Sequence, residues 1–284
     1  MPERTIYLDH AATTALDPRV LDAMLPFFTT EYGNASSIYT LGRHAMQAID
    51  SAREEVAEVL SCRPTEVTFT GCGSESDNLA IKGIAFTAQK KGNHLITSSI
   101  EHHAVLHTCQ YLERFGFKTT YVPVDSYGGV DPDEVGRAIT DQTILVSIMY
   151  ANNEVGTIEP VAEIGRICRA RKIPFHVDAV QAGGALPIDV TALNADLLSL
   201  SAHKFYGPKG VGILYARQGM RVLPQLQGGS QERGKRAGTE NVAGIVGAAT
   251  ALRLAYEELP RVTPRIIDLR DRLITGVLTI QAAT

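Results

Sequence analysis

The chain has 284 residues, a formal net charge of −4 and 44% hydrophobic residues, enough for one large core or for one domain plus a smaller piece. So near-neutral a balance gives no reason to expect a nucleic acid or an anionic membrane as partner, and no apolar run approaches the roughly 18 residues of a membrane span. The opening Met1-Pro2-Glu3-Arg4-Thr5 lacks the apolar core of a secretion signal. Cys62, Cys72, Cys109 and Cys168 lack close C-x-x-C spacing, so they read as reduced thiols of a cytoplasmic protein rather than as a disulfide frame or zinc site.

Residues 5–14 look like an extended arm ending in the small residues Ala11-Ala12-Thr13-Thr14, where a backbone can come close to a ligand or simply turn. Asp17-Pro18 opens a helix, and Gly33-Asn34-Ala35-Ser36-Ser37 is a loop. Over residues 42–60 the apolar positions Ala45, Ile49, Ala52, Val56 and Val59 step by three or four, which makes one buried helical face. A strand–turn–helix unit follows: strand 66–70, the turn Gly71-Cys72-Gly73-Ser74-Glu75-Ser76, and a helix over 77–90 stopped by Gly92. Glycines followed by a serine at a helix start make a phosphate cradle of N–H groups and a hydroxyl. Neither the dinucleotide fingerprint nor the P-loop fits, since Ser76 replaces a glycine and the Lys-Ser/Thr pair is missing.

The alternation continues with strands predicted at 94–99, 118–124, 143–150 and 174–180, and helices at 103–115 and 161–172. A further helix starts at Asp131-Pro132-Asp133-Glu134, with its cap, its first-turn proline and its acid in place. Repeated β-α-β units predict a mostly parallel sheet with helices on both faces and a ligand at the carboxyl ends of the strands. Glu101-His102, Asn152-Asn153-Glu154, Asp178 and Gln181 all follow strands and are expected on that rim. A carboxylate such as Asp178 suits a pyridinium nitrogen, though it also suits a strand-end cap; an imidazole such as His102 can stack on a ring or move protons. Asn152-Asn153 also reads as a plain turn. His103 and His107 stand at i, i+4 without an acidic or cysteine partner, so no metal is expected there. The basic cluster Arg233, Lys235 and Arg236 lies in a glycine-rich loop, solvated by default and a phosphate contact in the sharper reading.

Everything leads to residues 199–210, Ser-Leu-Ser-Ala-His-Lys-Phe-Tyr-Gly-Pro-Lys-Gly, between strand-like runs at 196–200 and 211–216. A lone lysine is most often solvated. Lys204 is boxed in by small and aromatic residues, and a desolvated lysine amine loses basicity and can form a Schiff base with a carbonyl. Ser201 and His203 beside it can hold a phosphate, which suggests pyridoxal phosphate (PLP) as that carbonyl. A final helical stretch covers 262–278, and no repeat, low-complexity tract or linker precedes about residue 255.

These pieces resemble the class V aminotransferase-like, fold-type I PLP enzymes, and within them the cysteine desulfurases of the NifS/IscS type. The resemblance is carried by Tyr7 through Thr14, Gly33 through Ser37, Thr70 through Asn78, Glu101-His102, Asn152 through Gly156, His176 through Gln181, Ser201 through Lys204 and Arg236 through Asn241, in the family's order over nearly the whole chain. It implies a three-layer α/β/α large domain over residues 16–255, preceded by an arm at 1–15 and followed at 256–284 by the start of a small C-terminal domain. Lys204 would hold the cofactor and shuttle protons, His102 would stack on its ring, Asp178 would pair with the ring nitrogen and Gln181 with the ring hydroxyl. Asn153 would touch substrate and ring, with Ala12 on the substrate side. Gly73, Ser74, Ser201 and His203 would hold the phosphate, helped by Thr239 from a second subunit, which implies a homodimer.

Ser74 stands where the family often has threonine, which keeps the hydroxyl. The family's small domain carries a nucleophilic cysteine on a mobile loop and an arginine for the substrate carboxylate. None of this chain's four cysteines matches that position, and Cys72 in the phosphate turn is suited to binding rather than to sulfur attack. The implied function is conversion of L-cysteine to L-alanine, with sulfur passed through a protein persulfide to a sulfur acceptor or iron–sulfur scaffold protein. A related PLP-dependent C–S lyase or aminotransferase, and a silent binding protein on the same fold, are the alternatives.

Overall fold

Strands rich in Val, Ile and Leu alternate with amphipathic helices, and the computed structural model, which describes residues 6–280, assembles them into three layers. Three helices open the chain: α1 (Pro18–Met24), α2 (Pro26–Thr29) and α3 (Thr40–Leu60). Asp17 caps α1 by accepting the Arg19 N–H at 2.8 Å, with Pro18 at the first helical position. Then come β1 (Val67–Thr70), α4 (Gly73–Ala88), β2 (His94–Ser98), α5 (His103–Glu113), β3 (Lys118–Val122) and α6 (Pro132–Ala138). β4 (Thr143–Met149), α7 (Val161–Arg171), β5 (Phe175–Asp178), β6 (Leu197–Ser201), β7 (Gly212–Ala216) and α8 (Val242–Leu278) complete the order. Each predicted strand and helix is present, with ends moved by a few residues. α6 opens at the Asp131-Pro132 start, where the Asp131 carboxylate accepts the Asp133 N–H at 2.9 Å.

The seven strands lie in the order β1-β7-β6-β5-β4-β2-β3. β2, β3, β4, β5 and β6 pair in parallel, while β7 runs antiparallel to both β6 and β1. Since β1 and β6 both oppose β7, every strand except β7 points one way. The carboxyl ends of β1, β2, β4, β5 and β6 therefore share one edge. The single reversal follows from the short connection over residues 202–211, which holds the lysine turn and Gly207-Pro208-Lys209-Gly210 and is shorter than the dozen or so residues of a crossover, so that β7 folds back beside β6.

Both faces of the sheet are buried, and alternate residues serve each. Ile96, Val146, Leu198 and Ile213 join α3, α7 and the start of α8 in one core, while Leu95, Leu145, Leu197 and Leu214 join α4 and α5 in the other. Burying a Leu, Ile or Val side chain stabilises the fold by about 1.5–3 kcal/mol, so these two layers dominate.

The predicted last helix is longer than its pattern: α8 runs unbroken from Val242 to Leu278, through Pro260 and Pro264. Both prolines lie on the exposed half, where a carbonyl left without its N–H donor can face water. Most residues from Ala243 to Leu252 are buried on the sheet domain, whereas Ile266, Leu269, Leu273 and Leu278 farther along are exposed. Residues 1–5 of the expected arm and 281–284 of the expected C-terminal segment lie outside the described residues. Among the described residues, no helix is long and apolar enough to cross a membrane.

Candidate active site

A cleft of about 520 Å³ opens at the carboxyl edge of the sheet. Its wall includes Ala12, Gly73, Ser74, His102, Asn153, Asp178, Gln181, Ser201, His203 and Lys204. Each of these was singled out from the sequence.

The anion end is built where β1 meets α4. The helix starts at Gly73, four residues earlier than its apolar pattern suggests, because Cys72 takes an extended conformation as its N-cap. Ser74 thus sits in the first turn of a 16-residue helix, whose unpaired N–H groups and dipole favour an anion. The Gly73 N–H reaches the Ser201 hydroxyl at 3.3 Å. A Cβ on Gly73 would lie 2.7 Å from Val180 Cγ2 and 3.0 Å from Ser201 Cβ, so only glycine admits this close approach. His203 completes this end, its Nδ1 3.0 Å from the Thr13 hydroxyl, and burial lowers its basicity with help from Lys204 and Lys209.

Lys204 follows β6 on a single helical turn, Ala202–Lys204. Its ammonium donates to the carbonyls of Ala11 and, at 3.1 Å, of Ala12. The arm is clipped over this turn: the Thr14 N–H donates to the His203 carbonyl at 2.9 Å, and the Tyr206 N–H to the Thr14 hydroxyl at 2.8 Å. Tyr206 takes a positive φ of 63° to make the turn. Desolvation draws the Lys204 amine below its ordinary value, opposed by the charges of Asp9 and Asp178.

Asp178 ends β5 and forms the floor. It is buried, and it accepts the Val180 N–H at 3.0 Å. Burial raises its pKa, while the Val180 N–H and the charges of His102 and Lys204 restrain the rise. His102 caps α5: its Nδ1 accepts the Ala104 N–H at 3.1 Å, so the neutral ring carries its proton on Nε2. Gln181 has its side-chain oxygen buried without a hydrogen-bond partner. Asn153 donates to Glu154 at 2.9 Å.

One expectation is corrected, and two readings left open are decided. Glu101 is not on the rim but beneath it, 4% exposed, accepting from the Ser98 hydroxyl at 2.6 Å and the Met149 N–H at 3.0 Å. Asn152 serves the turn, its carbonyl oxygen accepting the N–H groups of Glu154 and Val155 at 2.8 and 3.0 Å. Arg236 is no phosphate ligand in this chain's own cleft. It is paired to Glu75 at 2.9 Å, and Glu75 in turn accepts the Gly71 N–H at 2.7 Å. Thr239 is exposed and lies outside the cleft. His103 and His107 stack on each other with centroids 4.9 Å apart.

The sequence reading missed Asp77, a buried acid in the cleft wall, and Asp9 on the arm. Asp77 reads as an ordinary helix-start carboxylate. The available signal was its place one turn after Gly73-Ser74, on the face that must pack against the sheet.

The model of the family described as aminotransferase class-V matches residues 6–281. The chain is 55% identical over 274 residues to cysteine desulfurase IscS of Clostridium botulinum, covering 96% of this chain and 69% of that protein. To cysteine desulfurase IscS of Methanosarcina thermophila it is 56% identical over 277 residues, covering 98% and 69%. Among solved structures, a NifS-like protein superposes with a TM-score of 0.96 at 46% identity, covering 98% of this chain and 77% of that one. A structure titled SspA in complex with cysteine gives 0.85 at 44% identity, covering 87% and 72%.

Proposed function

The chain belongs to the aminotransferase class-V family and, within it, to the PLP-dependent cysteine desulfurases, and from that premise we propose that Lys204 and His102 carry its proton chemistry over a floor set by Asp178. The observation that carries this reading is the meeting of Lys204, Asp178, His102 and the Gly73–Ser201 cradle in one cleft.

The cleft suits the cofactor. The start of α4, held by Gly73 close against Val180 and Ser201, fits a phosphate with its N–H groups and the Ser74 and Ser201 hydroxyls. The buried end of Gln181 lacks a partner, and Asp178 offers a carboxylate where a ring nitrogen would lie. Bound there, PLP supplies an electron sink for bonds broken next to the Cα of an amino acid. The residues do the rest. Gly73, Ser74, Ser201 and His203 orient the phosphate end. Asp178 would pair with the ring nitrogen, and Gln181 would hold the ring hydroxyl. Lys204, whose amine desolvation draws below its ordinary value, would take the Cα proton and return it. His102 presents its Nε2 proton from a ring fixed by the Ala104 N–H. Asn153 and Ala12 bound the substrate side.

The substrate is L-cysteine and the products are L-alanine and a protein persulfide that feeds iron–sulfur cluster assembly or another thio-cofactor pathway. The unit is a homodimer in which Thr239 reaches the partner's phosphate cradle. Its exposure, on a loop braced by Arg53–Glu232 and Arg236–Glu75, supports that role. Residues 256–284 begin a second, smaller unit beside the large domain at 16–255, supported by the exposed apolar face of α8. Four free cysteines support a reducing, cytoplasmic setting.

The test is product analysis with L-cysteine, using the chain alone and with the C-terminal segment of a family member supplied in trans. Alanine in equal amount to transferred sulfur supports the reading, with turnover greatest when the added segment brings its thiol. Pyruvate with ammonia would instead make it a lyase. A bound cofactor with no response to any amino acid would make it a binding protein.

A further inference from the structure

The wall of the same cleft holds a second acid that the proposed chemistry does not use. Asp77 is 1% exposed and its Oδ1 has no hydrogen-bond partner. An ionised carboxylate in such a place needs a cation or several donors. The cationic candidate at hand is His176, but its Nε2 lies 3.6 Å from Asp77 Oδ1, too far for a hydrogen bond. His176 is fully buried, with its two ring nitrogens engaged by the hydroxyls of Ser147 at 2.8 Å and Ser199 at 2.9 Å. Burial draws its pKa down to about 3, so it is a neutral imidazole and brings no positive charge.

Asp178 stands two residues beyond His176 on the same face of β5 and lines the same cleft as Asp77. It has what Asp77 lacks: the Val180 N–H at 3.0 Å and the facing charges of His102 and Lys204. Two buried carboxyls that feel each other's charge do not both ionise, and the better-solvated and better-paired one keeps the charge.

We propose that Asp77 is the proton-bearing member of a buried carboxyl pair with Asp178, so that the cleft floor presents one negative charge, on Asp178, to the ring of the cofactor. The part concerning the ring rests on the function proposed above. The location of the proton does not. Asp77 is a positioning residue: as a neutral acid it lines the cleft with Asp178 without adding a second negative charge that would compete for the ring nitrogen. Its surroundings agree. Burial first, then the charge of Asp178, hold Asp77 well above the usual carboxylate range, against the Ser199 hydroxyl, and Glu101 beneath the rim adds to the rise.

The experiment is carbon NMR of the cofactor-free chain labelled at the aspartate carboxyl carbon, which leaves Glu101 silent. The expected result is one aspartate carboxyl still protonated at about pH 7, absent from the Asp77→Asn chain, with a midpoint at least about one pH unit lower in Asp178→Asn. A protonated signal that survives Asp77→Asn and disappears in Asp178→Asn overturns the assignment, as does an Asp77 signal ionised at that pH. If Asp77→Asn fails to fold, the Asp178→Asn chain decides, since an unmoved midpoint also overturns the pairing. Added PLP, followed by its visible absorbance in the wild-type chain, separates the two readings. Failure to bind sinks the cofactor role, while the NMR result alone sinks or sustains the Asp77 proton.

Discussion

The Gly73 amide lies 3.3 Å from the Ser201 hydroxyl oxygen although 128 residues separate the two. This contact joins the start of α4 to the end of β6, and so sets the anion cradle beside the lysine turn. Replacing Gly73 by alanine would push a methyl group into Val180 and Ser201. Gly73→Ala is expected to weaken PLP binding at least about tenfold, or about 1.4 kcal/mol, in an absorbance titration. Unchanged affinity would remove this turn from the phosphate site.

Lys204 is the only amine among the described cleft-lining residues. Borohydride treatment of the PLP-loaded chain should fix the cofactor covalently to the wild type and not to Lys204→Ala. That variant still has the cradle and should release its cofactor on dialysis. Covalent retention by Lys204→Ala, read by mass spectrometry, would reassign the attachment to another lysine.

The Glu101 carboxyl is pushed up to about 8 by burial, partly restrained by the Ser98 hydroxyl and the Met149 N–H. Its folded value lies above its ordinary 4.5, so the unfolded chain gives up this proton first as pH rises. The contribution is therefore full below 4.5 and is lost as pH climbs through the window to about 8. Glu101→Gln, which mimics the protonated acid, should flatten the fall of stability across that window in urea titrations. An unchanged slope would show that Glu101 is not the titrating group.

Arg53 and Glu232 form a buried two-pronged pair at 2.8 and 2.9 Å, and Glu232 also accepts the Phe69 N–H at 2.9 Å. The Arg53 guanidinium also sits over the Phe69 ring at 4.9 Å. Arg53→Met leaves a buried carboxylate without its cation and is expected to cost about 3–5 kcal/mol by chemical denaturation. A loss under about 1 kcal/mol would mean that water reaches Glu232.

Thiol reactivity should be graded by place. Burial pushes Cys62, Cys109 and Cys168 up to about 12, while Cys72 is exposed in the cleft wall. Cys72 should therefore be the first to react with a maleimide in the native chain, and bound PLP should slow it several-fold. Faster labelling of Cys109 or Cys168, located by peptide mapping, would contradict this packing.

What the sequence by itself determined is local in origin. Apolar periodicity sets the helices and strands, Asp131-Pro132 and Gly71 to Ser74 mark helix starts, and the boxed-in Lys204 stands out because its neighbours are small and aromatic. The β-α-β order then implies where strand ends and their polar residues gather. Tertiary structure alone decided what depends on register between distant strands. The reversal of β7, the burial of Glu101 under the rim and the clip of Thr14 over the lysine turn belong here. So do the Arg53–Glu232 pair, bridging 179 residues, and the meeting of Asp77 and Asp178 in one cleft. A carboxylate's role is set by the water and partners around it. Residues near it in sequence can orient the side chain, but only the packed sheet removes the water.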